Sequence, residues 1–282
     1  MRRLSKSQPR HVVQYRILDS KRRLPRRRVT VHASASEIKH LVEEGFLVRG
    51  SLLSRCLISQ FRLALAGILE AETRDGLPSA DDCFGSPYLR HLIDKHELFL
   101  KLFKLRSTLS IARAVLGPQV RFEEITARLT DLSTQSPATP WHIHLRVVPD
   151  PLPPLFAYPH AIDCLLYLDD INNDSGSLCV LPGSHRRISE VCPANDFADK
   201  PGQQLMRLRA GDCLLIHPNL WHRVLPPLKE SGHRRVIVFG YFPSWMGGEE
   251  RGSPKPPINT LAQFRNHSKS TLRELAGEFY WG

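Results

Sequence analysis

The spacing of apolar residues changes once along the chain, close to Pro118, and this change divides the sequence into two parts. Before it, apolar residues recur every three or four positions, a spacing that places them on one face of an α-helix. After it, short apolar runs alternate with turn sequences rich in Gly, Pro, Asn and Asp, which is typical of β-strands. The pattern therefore predicts a helical layer over about 34–117 and a strand-rich core over about 119–243.

The helical part shows start and stop signals as well as periodicity. Ser34 or Ser36 can cap a first helix that ends at Gly45, because Ser favours a helix start and Gly favours the position after its end. A longer amphipathic pattern runs from Leu57 to Leu69, and similar spacing continues over 88–116. We also expect a last helix within 271–280.

The strand-rich part has no helical pattern between its apolar runs. Many short strands without intervening helices are typical of a jelly roll or a barrel rather than of a parallel sheet. We therefore expect a mainly β fold with flanking α-helices. The strand candidates are 120–123, 125–130, 162–168, 177–181, 205–208, 213–216 and 236–241.

The composition suits one large domain with an ordinary core. The 282 residues are 41% hydrophobic, and no apolar run is long enough to cross a membrane. No apolar segment of a secretory signal follows the N-terminal charges. Six Cys without a CxxC pair favour a reduced, cytoplasmic protein in which Cys164, Cys179 and Cys213 serve as small core residues.

The net charge of +11 is concentrated at the N-terminus. Residues 1–30 contain eleven Lys and Arg and one acidic residue, so this arm carries +10 of the charge and residues 31–282 are almost neutral. We interpret the arm as a solvated, poorly ordered tail, with contact to an acidic partner and an organelle presequence as the alternatives. The neutral body and the lack of interleaved aromatic residues in the arm argue against a nucleic-acid-binding module.

The candidate chemistry centres on three histidines. His142 and His144 are two residues apart, and in an extended strand such residues point to the same face, so both imidazoles can reach one ion. The best candidate for a third ligand is His222, which follows a Gly-Asp turn and an apolar run. Histidine often only packs or hydrogen-bonds in a core. The pair's position after Pro140-Trp141, at the start of the strand-rich part, favours a metal site.

Five motifs can be read in order along the chain: Trp141-His142-Ile143-His144, the stretch from Leu168 to His185 that contains NNDSGSLCVLPGSH, Ala210-Gly211-Asp212, Trp221-His222 and His233-Arg234-Arg235-Val236. This series resembles the phytanoyl-CoA dioxygenase family of iron(II)- and 2-oxoglutarate-dependent oxygenases, over about 41–243. The resemblance implies a double-stranded β-helix, a cupin-like jelly roll with helices on one side, as a single domain over 31–282 with a C-terminal extension over 244–282. It also implies iron(II) as cofactor, 2-oxoglutarate as cosubstrate and a small-molecule substrate.

The same resemblance implies roles for individual residues. His142 is the first metal ligand, His222 is the distal one, and Arg234 pairs with the far carboxylate of 2-oxoglutarate, which suits the planar guanidinium group. Arg235 is the alternative, but neighbours on a strand face opposite ways, so only one of the two can do this. No catalytic residue is implied beyond the metal ligands. The candidate substrate contacts, on a proline-rich loop over 149–159 and just after it, are Phe156, Tyr158 and His160.

The chain departs from the family pattern at His144, where the family has Asp. Two His and one carboxylate form the usual site of such iron oxygenases. A neutral imidazole in place of the carboxylate makes the bound metal more positive by one unit, which weakens the binding of a hard cation but strengthens its attraction for 2-oxoglutarate. Metal loading also becomes sensitive to mildly acidic pH.

Three hypotheses stay open for this site. The first is a three-histidine iron oxygenase that hydroxylates its substrate with 2-oxoglutarate. The second is a three-histidine zinc site that does not use 2-oxoglutarate. The third is a relative that keeps the fold as a binding module without catalysis. We prefer the first, because Arg234 and the motif series would have no purpose in the second.

Overall fold

The computed structural model describes residues 9–15, 28–76, 86–122, 125–131, 138–144, 153–172, 175–187, 189–228, 232–244, 246, 264 and 270–277. The helices are α1 Ala35–Glu44, α2 Arg55–Arg74, α3 Leu92–Lys95, α4 Arg106–Leu116 and α5 Ser270–Leu275, with 3-10 segments at Glu97–Lys104, Pro154–Ala157 and Ser184–Arg186. The strands are β1 His11–Gln14, β2 Arg28–Val31, β3 Phe46–Arg49, β4 Tyr88–Leu89, β5 Val120–Phe122, β6 Thr126–Asp131, β7 Thr139–His142, β8 Ile162–Tyr167, β9 Leu178–Val180, β10 Gln204–Leu205, β11 Cys213–Ile216, β12 His222–Val224 and β13 His233–Pro243.

Two antiparallel sheets form the core. The larger has the order β3-β11-β8-β13-β6-β4, with β5 added beside β13, and the smaller has the order β10-β9-β12-β7. Leu165, Ile216 and Val236 from the larger sheet share one hydrophobic cluster with Leu178 and Val180 from the smaller. The two sheets therefore pack face to face, as in a jelly roll, and the mainly β fold class with flanking helices is confirmed.

The larger sheet separates the helical layer from this interior. Along β13, Ile237, Phe239 and Tyr241 belong to the cluster formed with the helices, whereas Val236 and Val238 contact the cluster between the sheets. This is the two-residue alternation of a strand that is covered on both faces. The apolar side chains of β8 and of the middle of β13 therefore point alternately to the helical layer and to the space between the sheets.

Helix α1 begins and ends where the sequence predicts. The Ser34 side chain accepts a hydrogen bond from Glu37 N, and Glu37 in turn accepts from Ser34 N, which is a capping box. Gly45 follows with φ 85°, a left-handed conformation that Gly adopts without strain. The Gly45 carbonyl then accepts a hydrogen bond from His217 N at 2.8 Å, so the helix end is joined to the segment that leads to His222.

Two local predictions need correction, those for 88–116 and for the N-terminal arm. Tyr88–Leu89 is a strand beside β6, and Glu97–Lys104 is a 3-10 helix, so the α-helical prediction for 88–116 holds only for its last part and for the short α3. In the arm, His11–Gln14 pairs with β2, so the solvated tail does not apply to these residues. The last helix ends at Leu275, and its predicted extension beyond 277 lies outside the described residues, as do most of the arm and Cys83.

The cysteines and helices agree with two further expectations. Cys56, Cys164, Cys179, Cys192 and Cys213 are free thiols, and Cys164, Cys179 and Cys213 are buried in the core. Among the described residues, no helix has the length and apolar character needed to cross a membrane.

Candidate metal centre

Two segments bring His142, His144 and His222 together. His142 ends β7 and His222 begins the neighbouring antiparallel strand β12, where the two residues lie directly opposite each other. His144 lies two residues beyond the end of β7, and its backbone N–H donates to Pro218 O at 2.8 Å. The ring centroid of His222 lies 4.1 Å from that of His142 and 4.6 Å from that of His144.

The Nδ1 atom of each ring already has an acceptor. His142 Nδ1 lies 2.9 Å from Pro140 O, His222 Nδ1 lies 2.8 Å from Leu220 O, and His144 Nδ1 lies 2.6 Å from Asp163 Oδ2. A ring nitrogen that faces an acceptor carries the proton, so the other nitrogen, Nε2, keeps its lone pair. All three imidazoles are therefore oriented to offer Nε2 to a cation.

The nitrogens lie close together, and the one pair of Nε2 atoms at 3.0 Å has the spacing of two ligands on a single divalent cation. One candidate ligand atom from each histidine lies within 4.8 Å of the others, and the Nε2 atoms of His144 and His222 are 3.0 Å apart. Metal–nitrogen bonds of about 2.1 Å at angles near 90–110° place two ligand nitrogens about 3.0–3.4 Å apart. The structure thus brings the three predicted histidines together, while their role as ligands stays a prediction.

Burial favours the neutral form that a metal ligand needs. Burial lowers the pKa of His222 well below its ordinary value of 6.5, and the adjacent His142 and His144 lower it further. A neutral imidazole at physiological pH is available for metal binding without losing a proton first.

The sequence reasoning missed Asp163, the acidic partner of His144. Asp163 lies on β8 on the same face as Leu165 and Tyr167, which point between the two sheets, and it is only 3% exposed. A signal was available, because Asp163 is the single charged residue inside the apolar run 162–168. What the sequence did not show is that the run turns this residue towards the histidines.

The two neighbouring arginines of β13 face opposite sides of the sheet. Arg235 forms a two-point ion pair with Asp169, with Nε 2.9 Å from Oδ2 and Nη2 2.7 Å from Oδ1. Arg234 lies on the face of Val236 and Val238, is buried, and donates from Nη1 to Ser175 O at 3.1 Å and Gly176 O at 2.8 Å. Of the two, only Arg234 faces the space between the sheets.

Arg234 keeps its charge despite this burial. Desolvation lowers its pKa to about 10, with a smaller opposing effect from Tyr167, so the group stays protonated at neutral pH. Gly176 allows the guanidinium its position, because a Cβ there would lie 2.5 Å from Arg234 Nη1 and 2.5 Å from Leu225 O. Among the described residues, the other guanidinium nitrogens make no hydrogen bond and can serve a bound anion.

The candidate substrate contacts do not form one surface. Tyr158 is half exposed, whereas His160 is buried, with its ring 4.8 Å from Phe156 and 5.2 Å from His217. Burial is the main cause that lowers the pKa values of both His160 and His217. His217 is a buried residue whose Nδ1 accepts a hydrogen bond from Asn219 N, and His160 packs against it rather than on an open binding surface.

Trp141 fixes the strand that carries His142. Its backbone N–H donates to Asp196 O and its indole N–H donates to Ala198 O, both at 2.8 Å. The guanidinium carbon of Arg223 lies 5.1 Å from the Trp141 ring, an arrangement in which cation–π attraction operates. The residue before the first candidate ligand is therefore held from two sides.

The profile of the phytanoyl-CoA dioxygenase family (PhyH) matches residues 41–226 of the chain. The chain belongs to this family. The match includes His142, His144 and His222 and ends before Arg234. No curated protein sequence matches at a significant level.

Solved structures show the same fold at low sequence identity. HygX from Streptomyces hygroscopicus, with nickel and 2-oxoglutarate bound, is 21% identical over 76% of this chain and 88% of its own, with a TM-score of 0.59. The non-heme alpha-ketoglutarate-dependent carbocyclase SnoK from nogalamycin biosynthesis is 20% identical over 75% and 84%, with a TM-score of 0.57. The corresponding epimerase SnoN is 17% identical over 78% and 93%, with a TM-score of 0.56. The family and these bound ligands agree with the iron(II) and 2-oxoglutarate expected from the sequence.

Proposed function

We propose that this protein is an iron(II)- and 2-oxoglutarate-dependent dioxygenase that hydroxylates a small organic substrate. His142, His144 and His222 would hold the metal, and Arg234 would bind the far carboxylate of 2-oxoglutarate. The observation that carries the proposal is the convergence of three imidazoles, each with an acceptor at Nδ1, whose candidate ligand atoms lie within 4.8 Å of one another.

The residues of the chain fit the two groups for different reasons. Three neutral imidazoles on one side of a cation leave its other side free for a chelating cosubstrate and for oxygen. Arg234 is a buried cation on the interior face of β13, with donors that no described residue uses, and a carboxylate is the anion that its planar group binds best. These observations support the assignment without depending on each other.

Each residue then has a defined task. Together with 2-oxoglutarate and dioxygen, the iron supplies the oxidation chemistry: one oxygen atom enters a C–H bond of the substrate, the other enters succinate, and carbon dioxide leaves. Arg234 orients 2-oxoglutarate through its carboxylate. Leu165, Val180 and Ile216 line the apolar interior and limit access of water.

The reaction type is the finer part of the proposal. SnoK and SnoN are described as a carbocyclase and an epimerase, so this fold supports more than one outcome. Hydroxylation is the simplest, because it needs no second reactive group on the substrate. HygX has also been crystallised with hygromycin B, which supports a small-molecule substrate here.

The experiment is a binding titration under anaerobic conditions. Protein loaded with iron(II) should bind 2-oxoglutarate in calorimetry and develop the charge-transfer absorption of the chelate. In air it should form succinate slowly even without substrate. Arg234→Gln should lose 2-oxoglutarate binding but retain metal, whereas Arg187→Gln, which changes an exposed arginine, should retain both. Metal binding without 2-oxoglutarate binding by the unaltered protein would refute the proposal.

One observation favours a second candidate, a zinc site. Three imidazoles without a carboxylate are the ligands with which zinc activates water in carbonic anhydrase. Zinc in the purified protein, together with no measurable 2-oxoglutarate binding after exchange for iron, would favour this candidate over the oxygenase.

A further inference from the structure

We infer that Asp163 is a positioning residue that supplies, through His144, the negative charge that the usual metal site carries directly on the metal. The inference rests on the proposed metal site and extends it. It concerns how a site that lacks the carboxylate ligand still holds a hard divalent cation.

The first step is the location of the charge. Two histidines and one carboxylate, the usual donor set of these iron sites, carry one negative charge, whereas three neutral imidazoles carry none. Here the Asp163 carboxylate lies 2.6 Å from His144 Nδ1, on the side of the ring that faces away from His222. The charge is therefore still present, displaced outward by the width of one imidazole.

The second step is the difference between His144 and the other two histidines. His142 and His222 donate from Nδ1 to backbone carbonyls at 2.9 and 2.8 Å, whereas His144 donates to a carboxylate at 2.6 Å. A hydrogen bond to an ionised acceptor is shorter and about twice as strong as one between neutral groups. It fixes the ring plane and makes the opposite nitrogen a better donor to a metal.

The third step is that His144 needs such support. His142 and His222 lie within paired strands, but His144 lies beyond the end of β7 and its side chain is 19% exposed. Its backbone is held by Pro218 O, which does not determine the rotation of the ring. Asp163, on a central strand between β11 and β13, provides a rigid point of attachment for that rotation.

The fourth step is the cost of placing an acid there. Asp163 is nearly fully buried on a strand face whose other members are Leu165 and Tyr167. A carboxylate in such surroundings is unfavourable unless it pairs with positive charge. A metal-bound imidazole donates such charge through Nδ1–H, so the metal and Asp163 stabilise each other across the His144 ring.

The test measures metal affinity rather than turnover. Asp163→Asn keeps the shape and an acceptor oxygen but removes the charge. We expect it to weaken binding of cobalt(II), nickel(II) and iron(II) by about 10–100-fold, the usual effect of removing such a partner, in competition titrations against a chromophoric chelator. Asp163→Glu should retain more affinity than Asp163→Asn. Asp170→Asn, which changes an exposed acid, should match the unaltered protein.

A double-mutant cycle separates an effect through His144 from a general one. In a His144→Ala background, Asp163→Asn should change metal affinity by less than about threefold, because the imidazole through which Asp163 acts is absent. The ligand-field spectrum of the cobalt(II) protein should change with Asp163→Asn in the unaltered background only. Equal losses of affinity in both backgrounds would overturn the inference, since Asp163 would then act without His144.

A measurement on the unaltered protein covers the case in which Asp163→Asn does not fold. In the zinc(II)-loaded protein, the Nδ1 proton of His144 should resonate further downfield than those of His142 and His222 in proton NMR. Equal shifts for the three would overturn the inference. Metal binding that depends on Asp163 but is not followed by 2-oxoglutarate binding would refute the proposed function and leave this inference standing.

Discussion

Replacing Gly176 by Ala should damage 2-oxoglutarate binding and stability together. The added Cβ would lie 2.5 Å from Arg234 Nη1 and 2.5 Å from Leu225 O, and both separations are too short for a real carbon atom. The guanidinium can move aside, but the Leu225 carbonyl is backbone and can move only with its strand connection. Gly176 also has φ 77°, where an L-residue is strained.

The expected losses of stability and of 2-oxoglutarate affinity follow from these contacts. The left-handed conformation costs about 1–2 kcal/mol for a residue with a Cβ, and the overpacking adds about 1–3 kcal/mol. Displacing Arg234 weakens a charge-assisted hydrogen bond worth about 1.5–3 kcal/mol, which corresponds to about a 10–100-fold rise in the Kd for 2-oxoglutarate.

Gly202 provides the matched control. Its φ is 82°, and no atom lies within 4 Å of an added Cβ. Gly202→Ala should therefore lower the free energy of unfolding only by the cost of the left-handed conformation, about 1–2 kcal/mol, and keep full affinity for 2-oxoglutarate. Urea unfolding of the metal-free proteins measures the free energy of unfolding. Anaerobic calorimetry of the iron(II)-loaded proteins with 2-oxoglutarate measures the affinity. If both variants bind 2-oxoglutarate equally well, the position assigned to Arg234 is wrong.

Three further predictions concern stability. Arg235→Gln breaks the ion pair with Asp169, so urea unfolding should show a loss of about 1–3 kcal/mol in the free energy of unfolding. Calorimetry should show unchanged affinity for 2-oxoglutarate. A large loss of affinity would mean that Arg235 is the binding arginine. His217 has a pKa well below 6.5 because of burial and the adjacent His185 and His160, so the unfolded chain binds a proton below about pH 6.5 that the folded protein does not. Below that pH, His217 should therefore lower the free energy of unfolding by up to about 1.4 kcal/mol per pH unit, in addition to the contributions of His160 and His222, whose pKa values burial also lowers. The fall should be shallower in His217→Gln, and equal slopes would contradict this. Deletion of residues 1–8 should leave the urea midpoint unchanged. Deletion of residues 1–15 removes the pairing of β1 with β2 and the packing of Val13, so it should lower the free energy of unfolding by about 1–2 kcal/mol. Equal midpoints for the two deletions would mean that the whole arm is a solvated tail, as the sequence predicts.

Local patterns predicted much of the fold, and the motif series predicted which residues lie together in the candidate site. The capping box at Ser34 and the stop at Gly45 depend on neighbouring residues only, so both could be read from the sequence. The pairing of His142 with His222 required a motif, because nothing local shows which strands become neighbours. Strand alternation gave opposite faces to Arg234 and Arg235, but the structure was needed to show which face is the interior.

The features that escaped prediction depend on contacts distant in sequence. Asp163 faces His144 because β8 lies between β11 and β13, with Asp163 opposite Ile216 and Gly240. Strand β1 has only Val12 and Val13 as apolar residues, between the polar His11 and Gln14, and its own sequence does not indicate the pairing with β2. Propensity alone does not predict such strands, since their stability comes from the partner.

The contacts of Trp141 also bear on self-association. In the described part of the chain, β7 is the last strand of the smaller sheet, so it has one side without a neighbouring strand. An open sheet edge invites pairing with another molecule, and here it would do so at the strand that carries His142. The Trp141 N–H instead donates to Asp196 O, which lies in the loop between β9 and β10. Shortening that loop should therefore promote oligomers at the same time as it loosens the strand that carries His142, so that aggregation and weaker metal binding should appear together.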